Sequence, residues 1–210
     1  MGIQLLDIQE RHSYRGNIEK AAQALLAGMI VAFPTETVYG IGVNAHDKDA
    51  IARLCRVKER SEEKKMAIMV TSAEEVKGYV KEIPPIAGKL MNEFWPGPLT
   101  IVLTLPDLTT IGLRNPDNPV IRDLIKRAKV PIASTSANIS GQLPAIDAQQ
   151  VIDYLGDKID VVLDDGQTQL RTPSTVVKVF EKTIEIIRHG IVDEERINRC
   201  IHEDSISLRS

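Results

Sequence analysis

Rings are scarce in this chain: aromatic residues make up 4% of it, and the single tryptophan, Trp95, lies among prolines and a glycine. Nucleic-acid binders rely on stacking platforms and extended basic faces. With so few rings and a formal net charge of −3, a surface that clings to nucleic acid as a whole is excluded, although a local basic cavity is not. Cysteine is rarer still. Cys55 and Cys200 stand far apart without a C-x-x-C, so neither a disulfide framework nor a zinc cluster is indicated, and both read as reduced thiols. The histidines, His12, His46, His189 and His202, show no ligand spacing. No apolar run approaches the ~18 residues of a membrane span. The amino terminus has no basic region, apolar stretch or cleavage site of a signal peptide, and the expectation is a cytoplasmic protein with no membrane partner. The GxxxxGK(S/T) loop, a strand-linked GxGxxG, GxSxG and HExxH are also missing. Without an activated nucleophile in view, catalysis would have to rest on positioning and charge stabilisation, as phosphoryl and nucleotidyl transfer permit.

What is present is an ordinary globular composition, 43% hydrophobic and 26% charged over 210 residues, enough for one sizeable α/β core. Apolar spacing predicts helices over Asn17–Leu26, Asp47–Lys58, Ile86–Phe94, Pro119–Lys129, Ala148–Leu155 and Glu194–Ile201. Strands are predicted at Met29–Phe33, Met66–Val70, Thr100–Leu105, Thr110–Arg114, Pro131–Ser134, Val161–Leu163, Ser174–Phe180 and Ile184–Arg188. Ser72 and Glu75 form a capping box for a further helix. Thr100–Arg114 and Ser174–Arg188 read as antiparallel pairs inside an otherwise interleaved pattern, so the sheet should be mixed.

Polar residues gather where strands end, which is where open α/β sheets bind ligands. The densest cluster, Ser134-Thr135-Ser136-Ala137-Asn138-Ile139-Ser140-Gly141, follows the apolar start Val130–Ala133. Buried hydroxyls and amides cost roughly 1–3 kcal/mol each when unpaired, so such a cluster suits a ligand better than a core. Pro34-Thr35-Glu36-Thr37-Val38-Tyr39-Gly40-Ile41-Gly42 reads either as a plain strand-to-helix loop or as a cleft wall carrying the hydroxyls of Thr35, Thr37 and Tyr39. Lys58-Glu59-Arg60 with Lys64-Lys65 reads either as cations capping a helix carboxyl end or, with Arg114 and Arg188, as a phosphate clamp. Trp95-Pro96-Gly97-Pro98-Leu99-Thr100 reads as a rigid turn whose tryptophan covers one end of the core, with Thr100 a further candidate contact.

Taken in order, PTETVYGIG, KER, WPGPLT, GLRNP, STSANISG, PSTVV and IIRHG, spread over roughly residues 15–192, closely resemble the YrdC-like family of threonylcarbamoyl-adenylate synthases. The resemblance implies a YrdC-like single α/β domain over 10–195 with a tail at 196–210. It also implies a twisted open mixed β-sheet flanked by helices, with a central concave basic cleft. The implied activity is that of a nucleotidyltransferase joining L-threonine, bicarbonate and ATP into threonylcarbamoyl-AMP with release of pyrophosphate. The implied partner is the tRNA threonylcarbamoyl-transferase machinery that modifies adenosine 37 of tRNA.

By the same resemblance, Thr35, Arg114, Ser134 and Ser174 hold threonine. Lys58, Arg60, Lys64, Thr110, Ser136, Asn138, Pro144 and Arg188 hold ATP, and Lys58, Arg60, Ser136 and Asn138 are the catalytic set. Mg²⁺ is implied as the cofactor accompanying ATP, with no direct protein ligation beyond Ser136 and Asn138 acting through the phosphates. Two departures stand out: Ser61–Met66 replaces the family's usual continuation after K-x-R, and Met69 stands where some relatives have a histidine. The chain stops soon after IIRHG, which implies the short branch without an extra carboxyl-terminal domain. The alternative is a paralogue of the same fold that lacks synthase activity and binds double-stranded RNA or tRNA.

Overall fold

The computed structural model describes residues 2–59, 61 and 66–202. Its elements run β1 (Gln4–Asp7), α1 (Arg11–Leu26), β2 (Val31–Phe33), β3 (Gly40–Asn44), α2 (Lys48–Val57), β4 (Ala67–Met69), α3 (Pro85–Phe94), β5 (Leu99–Thr104), β6 (Thr110–Arg114) and α4 (Pro119–Ala128). They continue with β7 (Ile132–Ser136), α5 (Ala148–Leu155), β8 (Val161–Asp164), β9 (Thr175–Val179), β10 (Ile184–Arg188) and α6 (Glu194–His202). Short polar side chains set several helix starts. Asp47 accepts from Ala50 N, Asn118 from Val120 N and Asp147 from Gln150 N, each satisfying a backbone donor that the first turn leaves open. Pro119 follows its cap at the first helical position, where no N–H is needed.

The ten strands among the described residues form one sheet in the order β1-β8-β2-β3-β7-β4-β6-β5-β9-β10. It is mixed: β1–β8, β8–β2, β4–β6 and β5–β9 are parallel and the remaining neighbours antiparallel, including the expected β5–β6 and β9–β10 pairs. Strand side chains alternate between faces, and each half of the sheet uses this differently. Near β1, β8, β2 and β3 both faces are covered. Val31, Phe33, Val161 and Leu163 pack under α1 and α4, while Ala32, Ile41, Val43 and Val162 pack under α2 and α5. That is why the run ending at Phe33 is apolar at every position.

In the other half, α3 and α6 cover one face only, over Leu99, Ile101, Leu103, Leu113, Val177 and Val179. Each such fully buried aliphatic side chain contributes about 1.5–3 kcal/mol. The intervening residues of the same strands, Thr100, Gly112 and Arg114 among them, face the opposite way and line an open cavity.

Three expectations need correction. The segment read as a loop or cleft wall contains strand β3, because Gly40 and Gly42 let the backbone pass flat against Phe33. A Cβ at Gly42 would meet Ile132 Cγ2 at 2.7 Å and Ala133 O at 3.0 Å. The Ser72–Glu75 signal starts only a 3₁₀ turn, Glu74–Gly78, and the Glu75 carboxylate reaches back to Thr71 N at 3.1 Å instead of to Ser72 N. The folded unit is also wider than 10–195. β1 forms the sheet's edge beside β8, and Ile197 of α6 is fully buried in the α3 cluster.

A polar tie fixes α2 to the sheet. Asp160 accepts from Ile30 N at 2.7 Å and, in a fork, from Arg53 Nη1 at 2.5 Å and Nη2 at 2.9 Å. Partial burial alone would raise the Asp160 pKa, but the Arg53 hydrogen bonds and charge, with the Ile30 N–H, hold it below the ordinary value. A carboxyl lowered in the folded state stabilises above the unfolded-state pKa, and that contribution is lost as pH falls through the folded-state value. Asp160→Asn should therefore cost about 1 kcal/mol at neutral pH, a modest figure because both partners are partly solvated. In urea denaturation at a series of pH values, the gap from wild type should close below about pH 4.

Candidate functional site

One cross-strand row makes the floor of the cleft. Ser134 of β7 lies opposite Ala67 of β4, Ala67 opposite Gly112 of β6, and Gly112 opposite Val102 of β5. Serine, alanine and glycine in adjacent strands leave the space that larger side chains would fill. The cleft above them measures about 530 Å³, within the ~300–1,000 Å³ of small-molecule sites. Its walls take in Thr35, Thr100, Thr110, Arg114, Ser136, Ser174 and Arg188. Of the expected threonine contacts all four, Thr35, Arg114, Ser134 and Ser174, line it, and so do the expected nucleotide contacts Thr110, Ser136 and Arg188.

The hydroxyls differ in how they are used. Ser134 Oγ is buried and has no hydrogen-bond partner among the described residues, so it faces the cleft with its capacity unspent. Thr35 Oγ1 is engaged with Thr37 Oγ1 at 2.8 Å and Val38 O at 2.7 Å. Ser174 Oγ lies 3.0 Å from Thr100 Oγ1, and Arg188 Nη2 donates to both Ser174 O at 2.7 Å and Ser174 Oγ at 3.1 Å. Gly190 makes that contact sterically feasible: a Cβ there would meet Pro173 O and stand 2.5 Å from Ser174 C and Thr175 N. The Tyr39 hydroxyl, expected to face the cleft, turns away from it, donating to Gly166 O and accepting from Asp165 N. Burial pushes its pKa up, so it stays neutral.

Arg114, 7% exposed, donates through Nη2 to Glu36 Oε1 and to Thr37 Oγ1, both at 2.8 Å. Its Nε and the second Glu36 oxygen, Oε2, are buried without a hydrogen-bond partner among the described residues. In the sequence Glu36 is overshadowed by the hydroxyls beside it, Thr35 and Thr37. A lone carboxylate in a segment of small polar residues, with an arginine at another strand end, is the signal that would have found it. Thr37 joins the site through the same guanidinium.

Lys58, Asn138 and Pro144 do not line the cleft. The Lys58 ammonium, on a residue 2% exposed, donates to Ser136 O at 2.5 Å, to Asn138 O and to Asn138 Oδ1 at 2.7 Å. Asn138 Oδ1 also accepts from Ser136 Oγ at 2.6 Å, while its Nδ2 donates to Ile139 O and Gln142 O. Lys58 thus ties the end of α2 to the end of β7 and builds the S-x-N corner instead of lying along the cleft wall as a phosphate clamp would. Arg60 and Lys64 lie outside the described residues. No group of three or more His, Cys, Asp or Glu side chains is placed to hold a metal among the described residues. No helix among them is long and apolar enough to cross a membrane.

Known proteins share this chain's fold and much of its sequence. A family model for Sua5, YciO and YrdC, described as telomere recombination, matches residues 23–190. A Mycobacterium tuberculosis relative is 38% identical over 200 residues, which are 91% of this chain and 92% of its own length. The crystal structure of P. abyssi Sua5 complexed with L-threonine superposes with a TM-score of 0.88 at 35% identity, covering 95% of this chain and 61% of that one. The Pyrococcus abyssi protein is named threonylcarbamoyl-AMP synthase. The crystal structure of E. coli YciO superposes with a TM-score of 0.82 at 25% identity and covers 93% of this chain and 99% of its own.

If Lys58 is the anchor of the S-x-N corner, Lys58→Met should cost roughly 2–4 kcal/mol in chemical denaturation, because three oxygens lose a charged donor at once and only Ser136 O and Asn138 Oδ1 keep a neutral one. A loss below about 1 kcal/mol would contradict the anchoring role.

Proposed function

The chain belongs to the Sua5, YciO and YrdC family, and on that premise we propose that it is a threonylcarbamoyl-AMP synthase. Arg114 takes the α-carboxylate of L-threonine, a charge-assisted pairing suited to a planar fork of donors. The threonine hydroxyl lies among Thr35, Ser134 and Ser174, and Ser134 has an unspent hydroxyl to give it. The amine condenses with bicarbonate, losing water and forming an N-carboxylate. An oxygen of that carbamate attacks the α-phosphorus of ATP, the bond to the bridging oxygen breaks, and pyrophosphate leaves; Mg²⁺ brought with ATP would neutralise phosphate charge beside Ser136 and Asn138. Thr110, Ser136 and Arg188 face the nucleotide, Arg60 and Lys64 are assigned to its phosphates, and Lys58 with Asn138 holds Ser136 in place. Such preorganised donors lower the barrier by meeting charge as it develops on the phosphates. The product then passes to a partner enzyme that modifies the tRNA adenosine.

The observation that carries this reading is the convergence of a buried arginine, three hydroxyls suited to an amino acid and a second arginine in one cleft. Pyrophosphate release should require ATP, bicarbonate and L-threonine together. Arg114→Ala should raise the KM for L-threonine by roughly 10–100-fold, the worth of a lost charge-assisted bond. Release that proceeds without threonine would overturn the proposal, and so would an unchanged KM.

A further inference from the structure

The Arg114 fork is already occupied by a carboxylate from its own chain. Both hydrogens of Nη2 have acceptors, Glu36 Oε1 and Thr37 Oγ1, each at 2.8 Å. A guanidinium can grip a carboxylate with two parallel bonds in two ways: end-on through both terminal nitrogens, or side-on through Nε and Nη2. Both ways use Nη2. A bidentate ligand at Arg114 must therefore displace either Glu36 or Thr37 from that nitrogen.

Glu36 is the one set to leave. Thr37 Oγ1 is neutral and also lies 2.8 Å from Thr35 Oγ1, so its position is fixed from two sides. The Glu36 carboxylate is held by Arg114 alone among the described residues, its Oε2 having no partner. A second carboxylate arriving beside it in a site where Glu36 is 5% exposed meets like-charge repulsion with little solvent screening. The Glu36 backbone is meanwhile held in place, its carbonyl accepting from Leu170 N at 2.9 Å, so the exchange needs only side-chain rotation. The unpartnered Arg114 Nε supplies the second donor of the side-on grip.

We infer that Glu36 is an internal competitor for Arg114, a built-in carboxylate that the carboxylate of the incoming amino acid must displace. The inference rests on the proposed reading of Arg114 as the site of threonine's α-carboxylate. Glu36 then moderates affinity: a ligand carboxylate must displace it from Arg114 and binds less tightly for that, whereas a neutral analogue that leaves Arg114 to Glu36 is unaffected.

The test compares L-threonine with L-threoninol, in which the carboxylate is reduced to an alcohol, by NMR or calorimetric titration of the full chain. In Glu36→Gln the side chain keeps its shape but loses its charge. L-Threonine should bind roughly three- to tenfold more tightly than to wild type, and L-threoninol should change by less than about twofold. A supporting structural role predicts instead that both ligands weaken together, and that outcome, or no selective gain, overturns the inference while leaving threonine binding by wild type intact. A wild-type protein that binds no L-threonine overturns the reading of the site and this inference with it. Should Glu36→Gln fail to melt cooperatively, Glu36→Asp, which draws the carboxylate back from Nη2, is read by the same criteria.

Discussion

The register that sets Ser134 against Ala67, Ala67 against Gly112 and Gly112 against Val102 underlies the whole site. A slip of one residue in β5 or β6 would turn its polar positions into the α3 and α6 core and its leucines and isoleucines into the cleft. Burial of Leu113, Ile101 and Val177 on the covered face therefore does two jobs. It stabilises the sheet, and it aims Arg114, Thr100 and Val176 at the open face. Ligand-facing geometry is a by-product of hydrophobic packing on the other side, which is why no dedicated scaffold is needed to hold the polar residues in place.

Two buried cations sit at the edges of this face and are handled in opposite ways. Lys58 spends its ammonium donors on Ser136 and Asn138, so its charge is converted into loop architecture. Arg114 holds back part of its donor set, with one nitrogen saturated by Glu36 and Thr37 and another bare among the described residues. A compact point charge suits three converging oxygens, whereas a planar fork suits an exchangeable carboxylate. Placing the rigid cation beneath the S-x-N corner and the exchangeable one beside the hydroxyls separates the part of the site that must not move from the part that must.

Much of this was legible in the sequence because apolar alternation and glycine or proline punctuation report directly on burial. The continuous run ending at Phe33 and the polar cluster Ser134–Asn138 are where expected, and the β5–β6 and β9–β10 pairs run antiparallel as read. β3 was hidden because glycine carries no side chain to show alternation. β1 was hidden because three of its four residues are exposed, so an edge strand leaves almost no apolar signature. At the site, residue type announced chemistry but not partners. Lys58 read first as a helix cap and, only together with Arg114 and Arg188, as a clamp, since nothing in K-x-R tells which oxygens its ammonium will meet. Glu36 gave only a weak signal, a lone carboxylate among small polar residues, because its importance depends on Arg114, a partner seventy-eight positions along the chain.

In the proposed synthase, one uncovered sheet face receives an amino acid at Arg114 and a nucleotide beside it. A crystal structure of this chain with L-threonine and a non-hydrolysable ATP analogue tests it most directly. The threonine carboxylate should sit on Arg114 Nε and Nη2, its hydroxyl within hydrogen-bond reach of Ser134 Oγ, and the phosphates should run past Ser136. Threonine bound away from Arg114, or a nucleotide lodged outside the row from Ser134 to Val102, would contradict it.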